Sequence, residues 1–277
     1  MPSNVFLAFI IYSLMLSMAF AQPNGVDKSS SIVFESGTQQ VLLLEMYSSQ
    51  GCSSCPPAEK WLNQLTTADQ LWQRFIPVVF HVDYWDYLGW KDPYSHPAFS
   101  NRQAQLKQQG LIRSVYTPGF TLNGKEWRGW FSGKSFPLSS QQVGNLIIEL
   151  QDGQLTARYS EFDSKQRLNV ALLGFNLTTS VTAGENHRRV LEQEFVVLDY
   201  QTLAASDGKW SGRLPLDNFA SNQLGFAAWV TQDKSLKPIQ SVGGKLPQQL
   251  TASIHTDKPR TDVKLEKLGL GSATFLF

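Results

Sequence analysis

Apolar positions along the chain fall into runs and stripes whose character changes near residue 153. The stretch Val41-Leu42-Leu43-Leu44-Glu45-Met46-Tyr47 is almost unbroken, with Glu45 its one charge. A run without alternation predicts a strand buried on both faces of a sheet. Ala58, Trp61, Leu62 and Leu65 then recur at helical spacing. Ile76–Val82 predicts a second strand, and Pro97–Gln109 a helix stopped by Gly110. Tyr116–Gly124 reads as a turn, a strand and an Asn-Gly hairpin, with a return strand around Lys125–Trp130. Ser139-x-x-Gln142 has the form of a capping box, and Val143, Leu146, Ile147 and Leu150 share one helical face. A last helix is expected there.

Beyond Gly153 the runs are short and the turns frequent. Leu168–Leu172, Phe195–Leu198 and Leu224–Val230 read as strands. Gly184-Glu185-Asn186, Ser206-Asp207-Gly208, Asp217-Asn218 and Gly243-Gly244 read as turns. Repeated strands with turn signals predict an antiparallel, sandwich-like β domain. The expected organisation is a signal peptide over 1–21, a polar lead-in over 22–37, an α/β domain over 38–152 and an all-β domain over 153–277. The polar cluster Gly184-Glu185-Asn186-His187-Arg188-Arg189 reads as a charged hairpin tip.

Composition narrows the function. A formal net charge of +1 with no long charged run excludes the electrostatic footprint of a nucleic-acid binder. Val5 to Phe20 is apolar apart from Ser13 and Ser17, and Ala19-Phe20-Ala21 has the small-x-small form of a cleavage site. Export to a secreted or periplasmic location is expected, with no membrane attachment after cleavage. An uncleaved anchor is the alternative, although the run is slightly short and lacks flanking charges.

Export changes what the cysteines mean. The chain has two, Cys52 and Cys55, in Gly51-Cys52-Ser53-Ser54-Cys55-Pro56-Pro57 between the first strand and the first helix. That placement is the signature of a thiol–disulfide redox site. Cys52 is the expected nucleophile, exposed at the positive end of the helix, where unpaired N–H groups stabilise a thiolate. Cys55, one turn on, is the expected resolving thiol. A structural staple is the alternative, but so short a loop yields little stabilisation. Between Asp83 and Tyr94, five of twelve residues are aromatic, and Gly89 and Pro93 break any periodicity. A structured surface loop is expected. Its Trp85, Tyr87 and Trp90 are either the wall of a substrate groove beside Cys52 or local core.

The order of elements, with Cys52-Ser53-Ser54-Cys55 opening the first helix and Thr117-Pro118 heading the hairpin, resembles the thioredoxin fold over roughly residues 40–152. More narrowly, Tyr47–Ala58 together with His81-Val82-Asp83-Tyr84-Trp85-Asp86 is similar to a secreted thioredoxin-like family catalogued as a domain of unknown function. The Gly184–Arg189 cluster resembles a recurring motif of the same family. The resemblance implies a cis Pro118 facing the cysteines, with Thr117 offering its backbone to an extended client. It also implies a buried acid that takes the proton of Cys55. Thioredoxins carry that acid six positions before the first cysteine; here Glu45 is the candidate, seven before. A strand-end Glu reaching solvent is the alternative.

The leading expectation is therefore an exported disulfide oxidoreductase that needs no cofactor. Its partners are protein thiols or disulfides and a further redox protein. Ser53 and Ser54 put no cation beside the sulfurs, so the direction of electron flow stays open. Two alternatives remain. One is a carrier of copper or another metal through Cys52, Cys55 and His81. The other is an interaction module with a structural disulfide.

Overall fold

A short strand, β1 (Ile32–Glu35), leads into β2 (Leu42–Ser48), every residue of which is buried. The helix α1 (Cys55–Asn63) follows, then β3 (Phe75–His81), parallel to β2 in the register Leu42↔Phe75 to Ser48↔His81. The helix α2 (Pro97–Gln108) starts where His96 Nδ1 accepts the Ala98 N–H at 3.1 Å, and it stops before Gly110 at φ 69°. The hairpin of β4 (Gly119–Leu122) and β5 (Lys125–Glu126) turns through Asn123 at φ 49° and Gly124 at φ 77°. Two positive φ values are what an Asn-Gly turn supplies at low cost. β4 lies antiparallel on the other side of β2.

The computed structural model describes residues 31–133, 137–219 and 223–247. The expected signal peptide and most of the lead-in lie outside the described residues, as does the chain from residue 248. The described part is mostly β-sheet with two α-helices.

The later strands are β6 (Leu146–Gln151), β7 (Gln154–Tyr159), β8 (Gln166–Gly174), β9 (Leu177–Ser180), β10 (Val190–Gln193), β11 (Val196–Ala204), β12 (Trp210–Arg213), β13 (Leu224–Gln232) and β14 (Pro238–Lys245). They do not keep to themselves. One eight-stranded sheet runs β14-β13-β8-β11-β3-β2-β4-β5, crossing the boundary expected near residue 152. The join is made by β11, parallel to β3 at Val196↔Val79 and antiparallel to β8. A four-stranded sheet, β1-β6-β7-β12, and the β9–β10 ribbon complete the strands.

Two apolar clusters flank the large sheet. Along β8, Leu168, Val170 and Leu172 belong to one, and Ala171 and Leu173 to the other. Along β13, Phe226, Ala228 and Val230 face the first side, and Ala227 and Trp229 the second. Strict alternation on a strand buried on both faces explains the continuous apolar runs of these segments. The first cluster includes Leu146, Ile148 and Leu150 of the four-stranded sheet; the second holds the β2 and β3 residues beneath the helices.

Two local expectations are corrected. The helix expected after Ser139 is the strand β6, paired antiparallel with β1 and β7. Leu146, Ile148 and Leu150 are fully buried, while Glu149 between them is exposed. Leu146-Ile147-Ile148-Glu149-Leu150 satisfies both periods. The turn at Asp152 (φ 49°) and Gly153 (φ 77°) supplies the partner strand that decides for the extended form. Gly243-Gly244 is likewise no turn but the interior of β14. A Cβ on Gly243 would lie 2.5 Å from the Phe226 carbonyl oxygen, and one on Gly244 would lie 2.7 Å from the Phe34 ring. Close approach, not chain reversal, requires glycine there.

Candidate active site

The C-terminal ends of β2 and β3 define the site. Leaving β2, the chain turns so that Ser49 carbonyl accepts the Cys52 N–H at 3.1 Å and Cys52 carbonyl accepts the Cys55 N–H at 3.2 Å. Pro56 and Pro57 occupy the first turn of α1, where no N–H donor is needed. The helix begins at Cys55, so Cys52 sits in the preceding turn and not on the helix. It is also covered, with 2% of its surface exposed, contrary to the exposed nucleophile expected. Both cysteines are free thiols.

Two other segments hold this turn, the aromatic segment of Asp83–Tyr94 and the Gly184–Arg189 cluster. Asp92 Oδ2 accepts the Gln50 N–H at 2.7 Å. Asn186 Nδ2 donates to the carbonyls of Gln50 and Cys52, both at 2.9 Å, and Glu185 accepts the Ser53 N–H at 2.9 Å. The cluster read as a charged tip keeps Glu185, His187, Arg188 and Arg189 exposed, and reaches into the site through the fully buried Asn186. Trp85 packs onto Gly51, where a Cβ would come within 3.0 Å of Trp85 Cβ.

The two thiols have opposite acidities. A hydrogen bond from the Cys55 thiol is the largest influence holding Cys52 down, at about 6, with Ser54 and Thr117 adding to it against the cost of burial. Burial pushes Cys55 well above its ordinary value, and the Cys52 and Glu59 charges add to that. A thiolate stabilised by hydrogen bonds beside a buried neutral thiol is the arrangement of a nucleophile and its resolving partner. Thr117–Pro118 is cis, and Thr117 Oγ1 accepts the Trp85 indole N–H at 2.7 Å. That bond leaves the hydroxyl hydrogen free to point at the Cys52 sulfur.

Glu45 is not beside Cys55. Its carboxylate accepts Arg102 Nε at 3.0 Å and the Tyr47 hydroxyl at 2.9 Å, both buried. The reason is strand parity. Residues an odd number apart on a strand face opposite sides, so Glu45 and Ser48 are on different faces of β2. The acid near Cys55 is Glu59, one helical turn after it and 4% exposed. Glu59 accepts the hydroxyl of Ser48, which also bonds Cys55, and its other oxygen lies 3.4 Å from Gln193 Nε2. The i, i+4 relation to Cys55 is the readable signal for Glu59.

His81 is fully buried at the end of β3, in register with Ser48, with Nδ1 2.6 Å from Asp92 Oδ2. Trp90 reaches the same network, its indole donating to Gln50 Oε1 at 3.0 Å. Gln50 Nε2 continues it to Gln193 Oε1 at 2.8 Å. Of the three aromatic residues expected at a groove, Trp85 and Trp90 hold the cysteine turn, while Tyr87 is 78% exposed. Among the described residues, no group of three His, Cys, Asp or Glu side chains is arranged to hold a metal ion. The set Cys52, Cys55 and His81 therefore does not form a ligand cluster.

A family model described as "Protein of unknown function (DUF1223)" matches residues 43–231, a span containing every residue of this site. No curated protein matches the chain. The crystal structure of protein AGR_C_4864 from Agrobacterium tumefaciens is similar over 84% of this chain and 100% of that one, at 19% identity and a TM-score of 0.55. HBP35 of Porphyromonas gingivalis is similar over 85% of this chain and 81% of that one, at 15% identity and a TM-score of 0.48. At such identities the first likeness bears on the fold alone.

Proposed function

We propose that this chain, which belongs to the DUF1223 family, is an exported, thioredoxin-like thiol–disulfide oxidoreductase acting on protein thiols through Cys52 and Cys55. The observation that carries the reading is the placement of two free thiols in one turn at the start of α1, Cys55 N–H bonded to the Cys52 carbonyl at 3.2 Å, and their divided acidity agrees with it. The signal-like N-terminus supports export, and the cis Thr117–Pro118 bond beside Cys52 supports the thioredoxin-like part.

In the reducing direction, the Cys52 thiolate attacks one sulfur of a client disulfide. The client S–S bond breaks, and the departing sulfur leaves with the electron pair and takes a proton. Cys55 then gives its proton through the Ser48 hydroxyl to Glu59. The Cys55 thiolate attacks Cys52 Sγ, the Cys52–Cys55 bond forms and the mixed disulfide breaks. The client has gained two electrons and the site has lost them. The oxidising direction is the reverse sequence. Because Cys52 is covered, attack requires the client to displace a neighbour; Ser54 Oγ lies 3.3 Å from its sulfur and the Thr117 hydroxyl bonds it.

Trapping tests the reading. In cells exporting Cys55→Ser, mixed disulfides with other exported proteins should accumulate through Cys52 and vanish in the double cysteine variant. An empty trap, with the double variant matching wild type in thiol assays, overturns the proposal. The reduction potential of the pair then fixes direction: about −270 mV marks a reductant and about −120 mV an oxidant.

A further inference from the structure

Proton transfer from Cys55 to Glu59 leaves the buried ionisable pair on the same face of the sheet unused. His81 and Asp92 have 0% and 1% of their surfaces exposed and are 2.6 Å apart. Asp92 is fully engaged otherwise: Oδ2 also takes the Gln50 N–H, and Oδ1 takes the Tyr94 N–H at 2.9 Å. His81 is not, for its Nε2 has no hydrogen-bond partner among the described residues. A completely buried polar atom without a partner calls for an explanation beyond packing.

Geometry places this pair next to the resolving thiol. Ser48 and His81 are register partners on parallel neighbouring strands, so their side chains lie side by side on the same face. Ser48 bonds both Glu59 and Cys55. One row therefore carries Cys55, Ser48, Glu59 and His81, closed by Asp92.

We propose that the buried His81–Asp92 pair positions charge for the resolving step: His81, as imidazolium held by Asp92, keeps Glu59 ionised so that Glu59 can receive the proton of Cys55. This rests on the oxidoreductase reading and adds to it two positioning residues that touch no substrate. The charge balance is consistent. Imidazolium, Asp92 carboxylate and Glu59 carboxylate carry one net negative charge, the same as neutral imidazole and Asp92 carboxylate with protonated Glu59. His81 and Glu59 share no hydrogen bond, so His81 acts on Glu59 through its charge.

The electrostatics agree with the geometry. Burial alone would lower His81, yet Asp92 and Glu59 raise it above its ordinary value. Burial raises Glu59, and His81 is the strongest influence opposing that rise. The titratable groups acting on the pair are Glu59 from α1 and Asp86 and Tyr94 from the aromatic segment. β2 and β10 present the uncharged Ser48 and Gln193 to Glu59.

The test uses the reduced chain and excess dithiobisnitrobenzoate, a chromogenic disulfide. Cys52 attack releases one coloured nitrothiolate and leaves the other bound to Cys52. Cys55 attack on Cys52 Sγ releases the second and closes the Cys52–Cys55 bond. The first phase reads Cys52 and the second reads Cys55 with its proton acceptor. In His81→Gln the second-phase pH profile should move to higher pH. At fixed pH the phase should slow about tenfold for every pH unit that the profile moves. The first phase should not move. Asp92→Asn, which keeps an acceptor for the Gln50 N–H, should act in the same direction and serves if His81→Gln does not fold. In a Glu59→Gln background, His81→Gln should add nothing. A second-phase profile for both single variants that superimposes on wild type overturns the inference. So does a His81→Gln effect that persists without Glu59. Failure of the oxidoreductase reading looks different: mass spectrometry of wild type would find no Cys52–Cys55 bond after the reaction.

Discussion

The two faces of β2 and β3 each bury an acid and a base, and they use them differently. On the α2 face, Glu45 meets Arg102, whose guanidinium lies 5.4–5.6 Å from the ring centroids of Phe80, Tyr200 and Trp229. Arg102 Nη1 also donates to the Tyr200 hydroxyl at 3.2 Å. An arginine cannot lose its charge in the accessible range, and here it is enclosed by aromatic rings. On the α1 face the base is His81, which can lose its charge; its charged neighbours are the carboxyls of Asp92 and Glu59, and Glu59 in turn acts on the Cys55 thiol. The difference teaches that burial of an ion pair does not mark function. What marks it is a cation that titrates, with a reactive group in reach.

The largest expected effect belongs to the fixed-charge face. Arg102→Ala leaves Glu45 buried without its partner and should cost about 3–5 kcal/mol in urea unfolding. In whatever fraction stays folded, the Cys52 alkylation profile should match wild type. A loss below about 1 kcal/mol, or a shifted alkylation profile, breaks the division between the faces.

Next comes the pH dependence of stability on the titrating face. The folded-state value of His81 is raised, so its contribution is fully present below the unfolded value and is lost as pH rises through the folded one. Asp92, held down by His81 despite burial, contributes above its unfolded value and loses this as pH falls through its folded value. The reduced Cys52 thiol runs the other way from His81, adding stability from about pH 6 upward. The informative quantity is thus the difference between wild type and His81→Gln in urea titrations. It should shrink as pH is raised above about 6.5, by roughly 1.4 kcal/mol for every pH unit separating the folded and unfolded His81 midpoints. A difference that is flat or grows across that window would show that His81 is not charged in the folded state.

The smallest effect sharpens the picture at Cys52. Thr117→Val removes one hydroxyl from Cys52 while the stronger Cys55 thiol bond remains. The alkylation midpoint should rise from about 6 by less than about one pH unit, while the lost acceptor of the Trp85 indole N–H lowers the unfolding free energy by about 1 kcal/mol. No rise at all would assign the depression to Cys55 and Ser54 alone.

Legibility in the sequence depends on whether the information is local. The apolar runs announce β2 and β3, Asn123-Gly124 announces its hairpin, and Cys52-x-x-Cys55 announces the site. Counting back from Cys52 misplaces the buried acid at Glu45, because one residue of difference turns a side chain to the other face of a strand. Asn186, Glu185 and Gln193 hold the site across 132 to 143 residues of chain, a relation that no spacing rule contains. Asp92 lies in view inside the aromatic segment, but its partner is chosen by how that segment folds back over His81. The β6 segment satisfies two periods at once, and only its partner strands choose between them.

The single bridge between β11 and β3 bears on how such a protein can change over evolution. Many redox modules are portable: they can be duplicated, fused or shed because their sheets end where their sequences end. Here β3 spends its outer edge on Val196, and Gln193 and Asn186 come from the same later stretch. Cutting the gene near residue 152 would bare a strand edge prone to pair with other chains and would strip the site of its supports. The dithiol turn and the β-rich half therefore stand or fall together, so that under the proposed function new clients would be met by changes on surface loops rather than by exchange of halves.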